Sequence, residues 1–322
     1  MLIIVNIPAF NEAKKIGSVI RSIPRELPGG IKIKVQVSDD GSTDETYEVA
    51  KEAGAEFVYK FPHRGLGLTF RSGVEKALEN GVDVMVNIDA DGQFSKDDIP
   101  RLVGPVVSGD FDMVVGSRFS KDKTYNPEGI PFIKSFLNQL AARMVSLFWG
   151  QKIDDLTCGF RAYSREVLLR LNLNHPFTYT QETILDALSK NFRIVWIPVR
   201  VTYFAKRKSR MAGNVWKFVY ESFRIIVKVL RDTKPLKFFG IPAFFLIFTS
   251  TLIFIIFLID YIQTLKVTPY RTWLIFASIL LILGIQLLIF ALIADMIRSQ
   301  RQVSEENLYL IRKEKYDKKK KE

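Results

Sequence analysis

Two long apolar segments near the C-terminus constrain this chain most strongly. No charged residue occurs between Phe238 and Ile259, and none occurs between Thr272 and Ala294. Each segment exceeds the ~20 residues that an α-helix needs to cross a bilayer. Two buried helices of a soluble protein would be amphipathic, whereas these segments are apolar on all sides. The sequence therefore predicts two transmembrane helices, at about 238–259 and 272–294, within residues 236–298.

The charge distribution predicts on which side of the membrane the rest of the chain lies. The net charge is +12, and basic residues flank the apolar segments, from Lys206 to Lys237 and again at Lys318–Lys321. Such basicity also suits nucleic-acid binding, but basic residues beside membrane spans are better explained by the positive-inside rule. We therefore expect a cell-membrane protein that contacts lipid and binds no nucleic acid. Its N-terminal domain and a basic tail at 299–322 would both be cytoplasmic.

Two further features agree with a cytoplasmic N-terminal domain. The N-terminus lacks the basic leader and long apolar stretch of a signal peptide. The single cysteine, Cys158, cannot form an internal disulfide, which agrees with a reducing compartment. The charged tail itself is typical of a solvated chain end.

The first ~120 residues alternate short apolar runs with stretches of helical periodicity, which is typical of a parallel sheet covered by helices. The runs that predict strands are Leu2–Ile7, Ile31–Val37, Phe57–Tyr59, Val82–Ile88 and Met113–Val115. Polar clusters follow several of these runs, at the carboxyl ends of strands where ligands gather in open α/β sheets. We therefore predict a Rossmann-like α/β domain over residues 1–212, with a mostly parallel sheet and helices on both faces.

Two later stretches have the pattern of amphipathic helices. The polar stripe of Val215–Asp232 consists of Lys217, Glu221, Arg224, Lys228 and Arg231. The opposite face is wide and apolar, so residues 213–235 predict a helix that lies in the membrane interface. Phe132–Trp149 has a weaker form of the same pattern, which ordinary core packing explains about as well.

The segment Asp89-Ala90-Asp91-Gly92-Gln93 is the most informative polar cluster. In an extended chain residues two apart point to the same side, so Asp89 and Asp91 can face one cation together. Two carboxylates and the Gln93 amide oxygen suit a hard ion such as Mg²⁺ or Mn²⁺, which typically bridges diphosphate oxygens. An Asx-type turn after a strand would use the same residues, so the cluster taken alone leaves both interpretations open.

A second acidic turn follows the predicted strand that ends at Val37. One carboxylate of Asp39 and Asp40 could accept hydrogen bonds from a nucleobase or ribose, while Ser42 or Thr43 caps the next helix. Similarly, the first predicted strand ends in polar groups, in the segment Ile7-Pro8-Ala9-Phe10-Asn11-Glu12.

Together these segments resemble the family 2 glycosyltransferases of the GT-A fold. The matching motifs are Pro8-Ala9-Phe10-Asn11-Glu12, Asp39-Asp40-Gly41-Ser42-Thr43-Asp44 and Asp89-Ala90-Asp91. Further support comes from Arg64-Gly65-Leu66-Gly67, Gly116-Ser117-Arg118, Asp155-Leu156-Thr157-Cys158-Gly159-Phe160-Arg161 and Lys208-Ser209-Arg210. Within the family the sequence is most similar to dolichol-phosphate mannose and glucose synthases and to undecaprenyl-phosphate relatives. The resemblance extends over roughly residues 1–232 as an ordered series of motifs.

This resemblance implies a role for each matching residue. Asp39 and Asp40 would hold the base and ribose of a nucleotide-sugar donor, helped by Pro8 and Glu12. Asp89, Asp91 and Gln93 would hold a Mg²⁺ or Mn²⁺ ion on the donor diphosphate. Arg118 would meet the phosphate of a polyprenyl acceptor, Arg207 and Arg210 would hold phosphate charge nearby, and Asp155 would lie close to the reacting sugar. Arg210 stands where many relatives have lysine.

The implied reaction is a single displacement with inversion that moves one hexose to a dolichyl or undecaprenyl phosphate. Asp91, Asp155 and Arg118 would be its catalytic residues. The acceptor phosphate is already anionic, so no strong general base is required.

Two alternatives remain at this point. A processive polysaccharide synthase shares the acidic motifs but would normally have more spans and a Gln-x-x-Arg-Trp motif, where this chain has Gln181-Glu182-Thr183-Ile184-Leu185. A non-catalytic membrane scaffold would need no such combination of acidic residues with Arg118. The sequence leaves open whether the donor is GDP-mannose, UDP-glucose or a UDP-N-acetylhexosamine, and whether the chain forms a homo-oligomer.

Overall fold

The computed structural model describes residues 1–119, 132–173, 175–202 and 215–321. The chain divides into two compact units. An α/β unit comprises Met1–Ile226 together with Glu306–Glu322, and a helical unit comprises Val227–Glu305.

The α/β unit contains one eight-stranded sheet, in which every strand but two runs in the same direction. Its strands are β1 (Leu2–Ala9), β2 (Glu26–Leu27), β3 (Ile31–Asp39), β4 (Phe57–Lys60), β5 (Val84–Asn87), β6 (Met113–Ser117), β7 (Arg161–Ser164) and β8 (Ile194–Pro198). The order across the sheet is β2-β3-β1-β5-β7-β6-β8, and β4 also pairs with β3. The mostly parallel sheet predicted from the sequence is therefore confirmed.

Seven helices accompany this sheet in the described part of residues 1–202. They are α1 (Ala13–Ser22), α2 (Thr46–Glu52), α3 (Leu66–Glu79), α4 (Ile99–Val107), α5 (Phe132–Trp149), α6 (Arg165–Arg170) and α7 (Thr180–Ser189). α3 packs on β1 and β3, while α4 packs on β5, β6 and β7. The core is made of strand residues with no exposed surface, such as Ile3, Val5, Val35 and Val86.

The sequence pattern did not predict β2, β7 or β8, and of these β7 matters most for the site. It is inserted between β5 and β6 and is antiparallel to both. It begins at Arg161, directly after the Asp155–Phe160 segment, and therefore brings that segment to the carboxyl ends of β5 and β6. This insertion determines much of the site described below.

Two helices are long and apolar enough to cross a membrane, among the residues described. α9 extends over Pro235–Thr264 and α10 over Arg271–Lys321. Within the helical unit they meet through small residues, as the Ser250 hydroxyl donates to the Ala277 carbonyl at 2.7 Å. A Cβ on Gly284 would lie 2.6 Å from Ile247 Cγ1, so this crossing requires glycine. Close approach at small residues is how membrane helices associate.

The end of the chain differs from the solvated tail expected from its charge. α10 continues through residues 299–321 without a break, and the segment from Glu306 onward belongs to the α/β unit. There Tyr309 and Tyr316 are buried, with 6% and 4% of their surface exposed. The charged residues around them make this segment look polar overall, but its spacing presents one aromatic face to the protein.

α8 (Val215–Thr233) precedes the helical hairpin. The domain boundaries taken from the sequence remain predictions.

Candidate functional site

The carboxyl end of β3 carries two acidic side chains whose surroundings differ. Asp39 has no exposed surface, and its Oδ1 accepts hydrogen bonds from the Ser42 backbone N–H at 2.9 Å and from the Ser42 hydroxyl. Its Oδ2 is buried without a hydrogen-bond partner in the described part of the chain. A buried polar atom left unpaired costs about 1–3 kcal/mol. Asp39 therefore has spare hydrogen-bond acceptor capacity at this strand end.

Asp40 is instead fully engaged with the loop that begins α3. Its Oδ1 accepts from the Arg64 N–H at 2.9 Å and from the Thr69 hydroxyl at 2.6 Å. Its Oδ2 accepts from the Gly65 N–H at 3.1 Å and lies 2.9 Å from His63 Nδ1. Carboxylate contacts to free backbone N–H groups at a helix start are stabilising. Asp40 thus fixes the first turn of α3 against β3.

The turn after β1 is tied to the turn after β3 through Asn11. The Asn11 amide oxygen accepts from the Thr43 N–H at 2.8 Å, and the Asn11 N–H donates to the Ser42 hydroxyl at 2.9 Å. Ser42 and Thr43 therefore do not cap α2, whose N-cap position is Glu45. They connect two loops instead.

Pro8 and Glu12 lie on either side of this connection. Pro8 is in β1 beside Ser38 of β3, and Glu12 occupies the N-cap position of α1 with its N–H donating to Thr46 Oγ1 at 2.8 Å. Pro8 therefore lies in the strand next to the end of β3, and Glu12 lies in the turn that follows β1.

Asp89 and Asp91 follow β5, and both are half-buried. The Asp89 carboxylate lies directly over Gly159, because a Cβ at that position would be 2.7 Å from Asp89 Oδ1. Asp91 Oδ1 accepts from the Gln93 N–H at 3.0 Å, which is the Asx-type turn considered above. This contact uses one of the two carboxylate oxygens of Asp91.

The residues at this strand end fit a divalent cation of the hard type. Mg²⁺ is usually bound through one or two carboxylates together with substrate phosphates and water. Among the described residues no group of three or more His, Cys, Asp or Glu side chains could hold a metal. Asp89 and Asp91 would thus supply the protein ligands, and a bound diphosphate would supply further oxygens.

A row of polar side chains crosses the sheet just below both acidic clusters. Asn6 of β1 is in register with Gln36 of β3 and with Asn87 of β5, and Asn87 is in register with Arg161 of β7. None of the four has exposed surface. Gln36 Nε2 donates to the Asn6 amide oxygen at 3.0 Å, and Asn6 Nδ2 donates to the Asn87 amide oxygen at 2.9 Å.

The row continues beyond Asn87 to an aromatic hydroxyl. Asn87 Nδ2 lies 2.6 Å from the hydroxyl oxygen of Tyr179. Buried networks of this kind rigidify the elements that they join. The network described here fixes the carboxyl ends of β3, β1 and β5 relative to one another. It therefore also fixes the relative positions of Asp39 and Asp89.

Arg118 and Asp155 form a bidentate ion pair at the end of β6. Arg118 Nε donates to Asp155 Oδ2 at 2.8 Å, and Nη2 donates to Oδ1 at 2.9 Å. The Thr157 N–H and Asn138 Nδ2 also donate to Oδ1, at 2.9 and 3.1 Å. Burial alone would raise the pKa of Asp155, but the Arg118 charge and these hydrogen bonds hold that pKa below its ordinary value. Asp155 is therefore a buried carboxylate that orients Arg118.

The structure brings most of the predicted site residues to one edge of the sheet. Those at strand ends or in the turns after them are Pro8, Glu12, Asp39, Asp40, Asp89, Asp91, Gln93 and Arg118. Asp155 is brought to this edge by the segment that leads into β7, and it contacts Arg118 there. Arg207 and Arg210 lie outside the described residues.

Several residues of the site were not singled out from the sequence. Asn6, Gln36 and Asn87 each stand next to buried apolar residues of a strand, which was the available signal. His63 lies in the loop before α3, and its ring stacks on Phe10 with 4.4 Å between ring centroids. The contact of His63 with Asp40 joins positions 23 residues apart, so local sequence could not predict it.

A comparison with protein families identifies the α/β unit. Residues 4–171 match the model of glycosyl transferase family 2. The chain belongs to this family. The resemblance inferred from the motifs is therefore confirmed.

Individual relatives agree with this assignment. A protein of Methanocaldococcus jannaschii named only as uncharacterized (MJ1222) is 30% identical over 232 residues, covering 71% of this chain and 90% of that protein. Polyprenol monophosphomannose synthase of Mycolicibacterium smegmatis is 27% identical over 221 residues, covering 66% and 81%.

A solved structure supports the fold. Glucosyl-3-phosphoglycerate synthase from Mycobacterium tuberculosis, in complex with Mn²⁺, UDP and glucosyl-3-phosphoglycerate, superposes with a TM-score of 0.55 at 23% identity. The superposition covers 71% of this chain and 79% of that chain. The family 2 chain therefore has the GT-A type of α/β fold, as its motifs implied.

Proposed function

We propose that this chain transfers a single hexose, with inversion, from a nucleotide sugar to a polyprenyl phosphate. The observation that carries the proposal is the shared sheet edge of Asp39, Asp89 and Arg118. Asp39 ends β3 and offers a contact for the nucleotide. Asp89 follows β5 and, together with Asp91, offers two metal ligands. Arg118 follows β6 and offers a cation for the acceptor phosphate. The similarity to a polyprenol monophosphomannose synthase and the two apolar helices support a lipid acceptor.

On this proposal the donor nucleotide binds between the turns that follow β1 and β3. The unpaired Oδ2 of Asp39 is the acceptor for a base N–H or a ribose hydroxyl. Asp40 contributes indirectly, because its four contacts hold the 63–69 segment beside Asp39. Pro8 and Glu12 form the opposite side of the same cleft.

The transfer itself depends on charge placement more than on proton transfer. A divalent cation bound by Asp89 and Asp91 would neutralise the leaving diphosphate. Arg118 holds the acceptor phosphate, and Asp155 keeps the guanidinium plane fixed for that contact. Correct positioning of two reactants can supply on the order of 7–11 kcal/mol of barrier reduction. The acceptor phosphate is already anionic, so no strong general base is needed.

The membrane would bring the acceptor to this site. A polyprenyl phosphate keeps its chain in the bilayer and its phosphate at the surface. α8 exposes the aromatic residues Tyr220 and Phe223 and carries basic residues, which suits a helix lying in the interface. α9 and α10 would anchor the chain there, with the α/β unit on the cytoplasmic side.

A reconstituted transfer assay tests the proposal. The purified full chain in liposomes with undecaprenyl or dolichyl phosphate is offered UDP-glucose, GDP-mannose or UDP-N-acetylglucosamine, each with Mn²⁺. We expect one donor to give one lipid-linked sugar, of inverted anomeric configuration, for each nucleoside diphosphate released. A growing polymer would indicate a processive synthase, and no lipid-dependent release with any donor would indicate a scaffold.

A further inference from the structure

The last helical segment of the chain docks on the α/β unit through a defined face. We call Glu306–Lys321 the docking segment. Tyr309, Arg312 and Tyr316, spaced three and four residues apart, lie on its inner side. The Tyr309 ring packs under the Arg170 guanidinium at 3.7 Å, and its hydroxyl donates to Glu166 at 3.2 Å.

Ion pairs along the segment reinforce this aromatic contact. Arg170 Nη1 donates to Glu306 at 2.6 Å, Arg165 Nη2 donates to Asp317 at 3.1 Å, and Lys320 pairs with Asp83. Val74 and Leu78 of α3 line a small cavity together with Leu171 and Tyr316. The docking segment therefore contacts both α3 and the end of α6.

Arg312 binds the chain where α6 ends. Its Nη1 donates to the carbonyl oxygens of Leu169 and Leu171, at 3.3 and 2.8 Å, and to the Asn172 side chain at 3.2 Å. Carbonyls at a helix C-terminus lack intrahelical partners and attract cations. Burial, and secondarily the nearby Arg71, lowers the pKa of Arg312. Burial of the Arg312 guanidinium therefore costs free energy, and the hydrogen bonds to these acceptors offset that cost.

The connection that begins at Leu171 returns to the first turn of α3. There the Pro176 carbonyl accepts from the Gly67 N–H at 3.0 Å, and a Cβ on Gly67 would lie only 2.0 Å from the His175 carbonyl oxygen. The same turn supplies the Gly65 N–H and the Thr69 hydroxyl that bind Asp40. A continuous set of contacts thus runs from Arg312 to the turn that lies beside Asp39.

We propose that the docking segment positions the nucleotide site, and that Arg312 is the positioning residue that joins the two. By holding the end of α6, Arg312 keeps the α6–α7 connection against Gly67, and this connection keeps the first turn of α3 in place for Asp40. The inference rests on the proposed function in one respect, namely that nucleotide binds beside Asp39.

The test compares two substitutions in the full-length chain. Arg312→Met removes the hydrogen-bond donors but keeps the length of the side chain. Lys318→Met also removes a charged side chain, on the outer side of the same segment, where Lys318 pairs with the exposed Glu314. Amide hydrogen exchange is followed at Gly67, Thr69 and Leu171, and calorimetry measures binding of UDP and of GDP with Mn²⁺.

We expect Arg312→Met to speed exchange at all three amides and to weaken nucleotide binding about fivefold, the lower range of coupling between distant sites. Arg312→Lys should restore part of both effects, and Lys318→Met should change neither. Faster exchange with unchanged nucleotide affinity would overturn the positioning role, and unchanged exchange would overturn the docking itself. If the wild-type chain bound neither nucleotide, the proposed function would fail, and exchange at Gly67 and Thr69 would still decide whether the segment positions this turn.

Discussion

Asp39 and Asp40 are adjacent in sequence but differ in what their carboxylates contact. Alternation along the strand end sends the two side chains to different surroundings. Asp40 is saturated by the turn that begins α3, whereas Asp39 keeps an unpaired oxygen. The motif alone suggested that both residues hold the nucleotide. The contacts support direct binding by Asp39 and an indirect role for Asp40.

The metal proposal leads to a prediction for Asp89 and Asp91. Asp89→Asn or Asp91→Asn keeps the side-chain size but removes a charged oxygen ligand. Each should lower transfer by on the order of 100-fold or more, as loss of transition-state charge stabilisation does, and should weaken Mn²⁺-dependent donor binding. The measurements are release of nucleoside diphosphate and calorimetry. Asp97→Asn, an exposed residue of the following turn, is the control. Full activity of either variant in EDTA would contradict the metal proposal.

The buried ion pair leads to a prediction for stability. Asp155→Asn leaves the Arg118 charge without its partner, and removal of one partner from a buried pair costs roughly 3–5 kcal/mol. Because Arg118 keeps 17% side-chain exposure, we expect about 3 kcal/mol, measured by urea unfolding in detergent. Asp154→Asn is the matched control. Asp154 pairs with the exposed Lys152, so this substitution should cost little. Equal losses in both variants would argue against the pair.

The same pair predicts the pH dependence of that difference. The pKa of Asp155 is lowered in the folded chain from its ordinary value of 3.8, so the folded state binds this proton less readily than the unfolded state. The stabilisation is therefore complete above that value and is lost as the pH falls below it. The wild-type advantage over Asp155→Asn should be equal at pH 7 and pH 5 and smaller at pH 3.5. A constant advantage would mean that the Asp155 charge is not its source.

Among the elements, strands were easier to predict than the connections between them. β1, β3 and β5 are apolar runs bounded by polar turns, so their local composition predicted them. β7 was missed because only its pairing with β5 and β6, distant in sequence, defines it. Arg118 and Asp155 are likewise 37 positions apart. The sequence therefore implied that both residues lie near the reacting groups, and not that they contact each other.

The close approach of α3 to the α6–α7 connection leads to a prediction at this scale. Gly67→Ala would place a methyl group 2.0 Å from the His175 carbonyl oxygen, so the backbone must move. We expect a loss of about 1–3 kcal/mol of stability together with weaker nucleotide binding, by thermal unfolding and calorimetry.

Gly104→Ala is the control for this substitution. Gly104 lies in α4, and a Cβ there would meet nothing within 4 Å. It should stabilise the chain by about 0.5–1 kcal/mol through helix propensity. Similar losses in the two variants would exclude a specific contact at Gly67.

At the scale of the whole molecule, the proposed acceptor requires contact with a membrane surface. Phe223 of α8 has 55% of its surface exposed, and burying a phenylalanine contributes ~1.5–3 kcal/mol. Phe223→Glu should therefore lower transfer to a long-chain polyprenyl phosphate in liposomes by about tenfold, and should affect a short, water-soluble prenyl phosphate much less. Ile311→Glu is the control, since Ile311 lies outside α8 and has 65% of its surface exposed. Equal loss on both acceptors would contradict insertion of α8.

On the proposed function, the six residues from Asp155 to Phe160 would serve two substrates at once. Asp155 orients the guanidinium that would meet the lipid phosphate, and Gly159 leaves the space that the Asp89 carboxylate occupies. A substitution in this segment that changed the preference for the donor would therefore also change the preference for the acceptor. A chimaera with a relative would pair Arg118 with a foreign carboxylate if its crossover fell between Arg118 and Asp155. It would set the Asp89 carboxylate against a foreign segment if its crossover fell between Asp89 and Gly159.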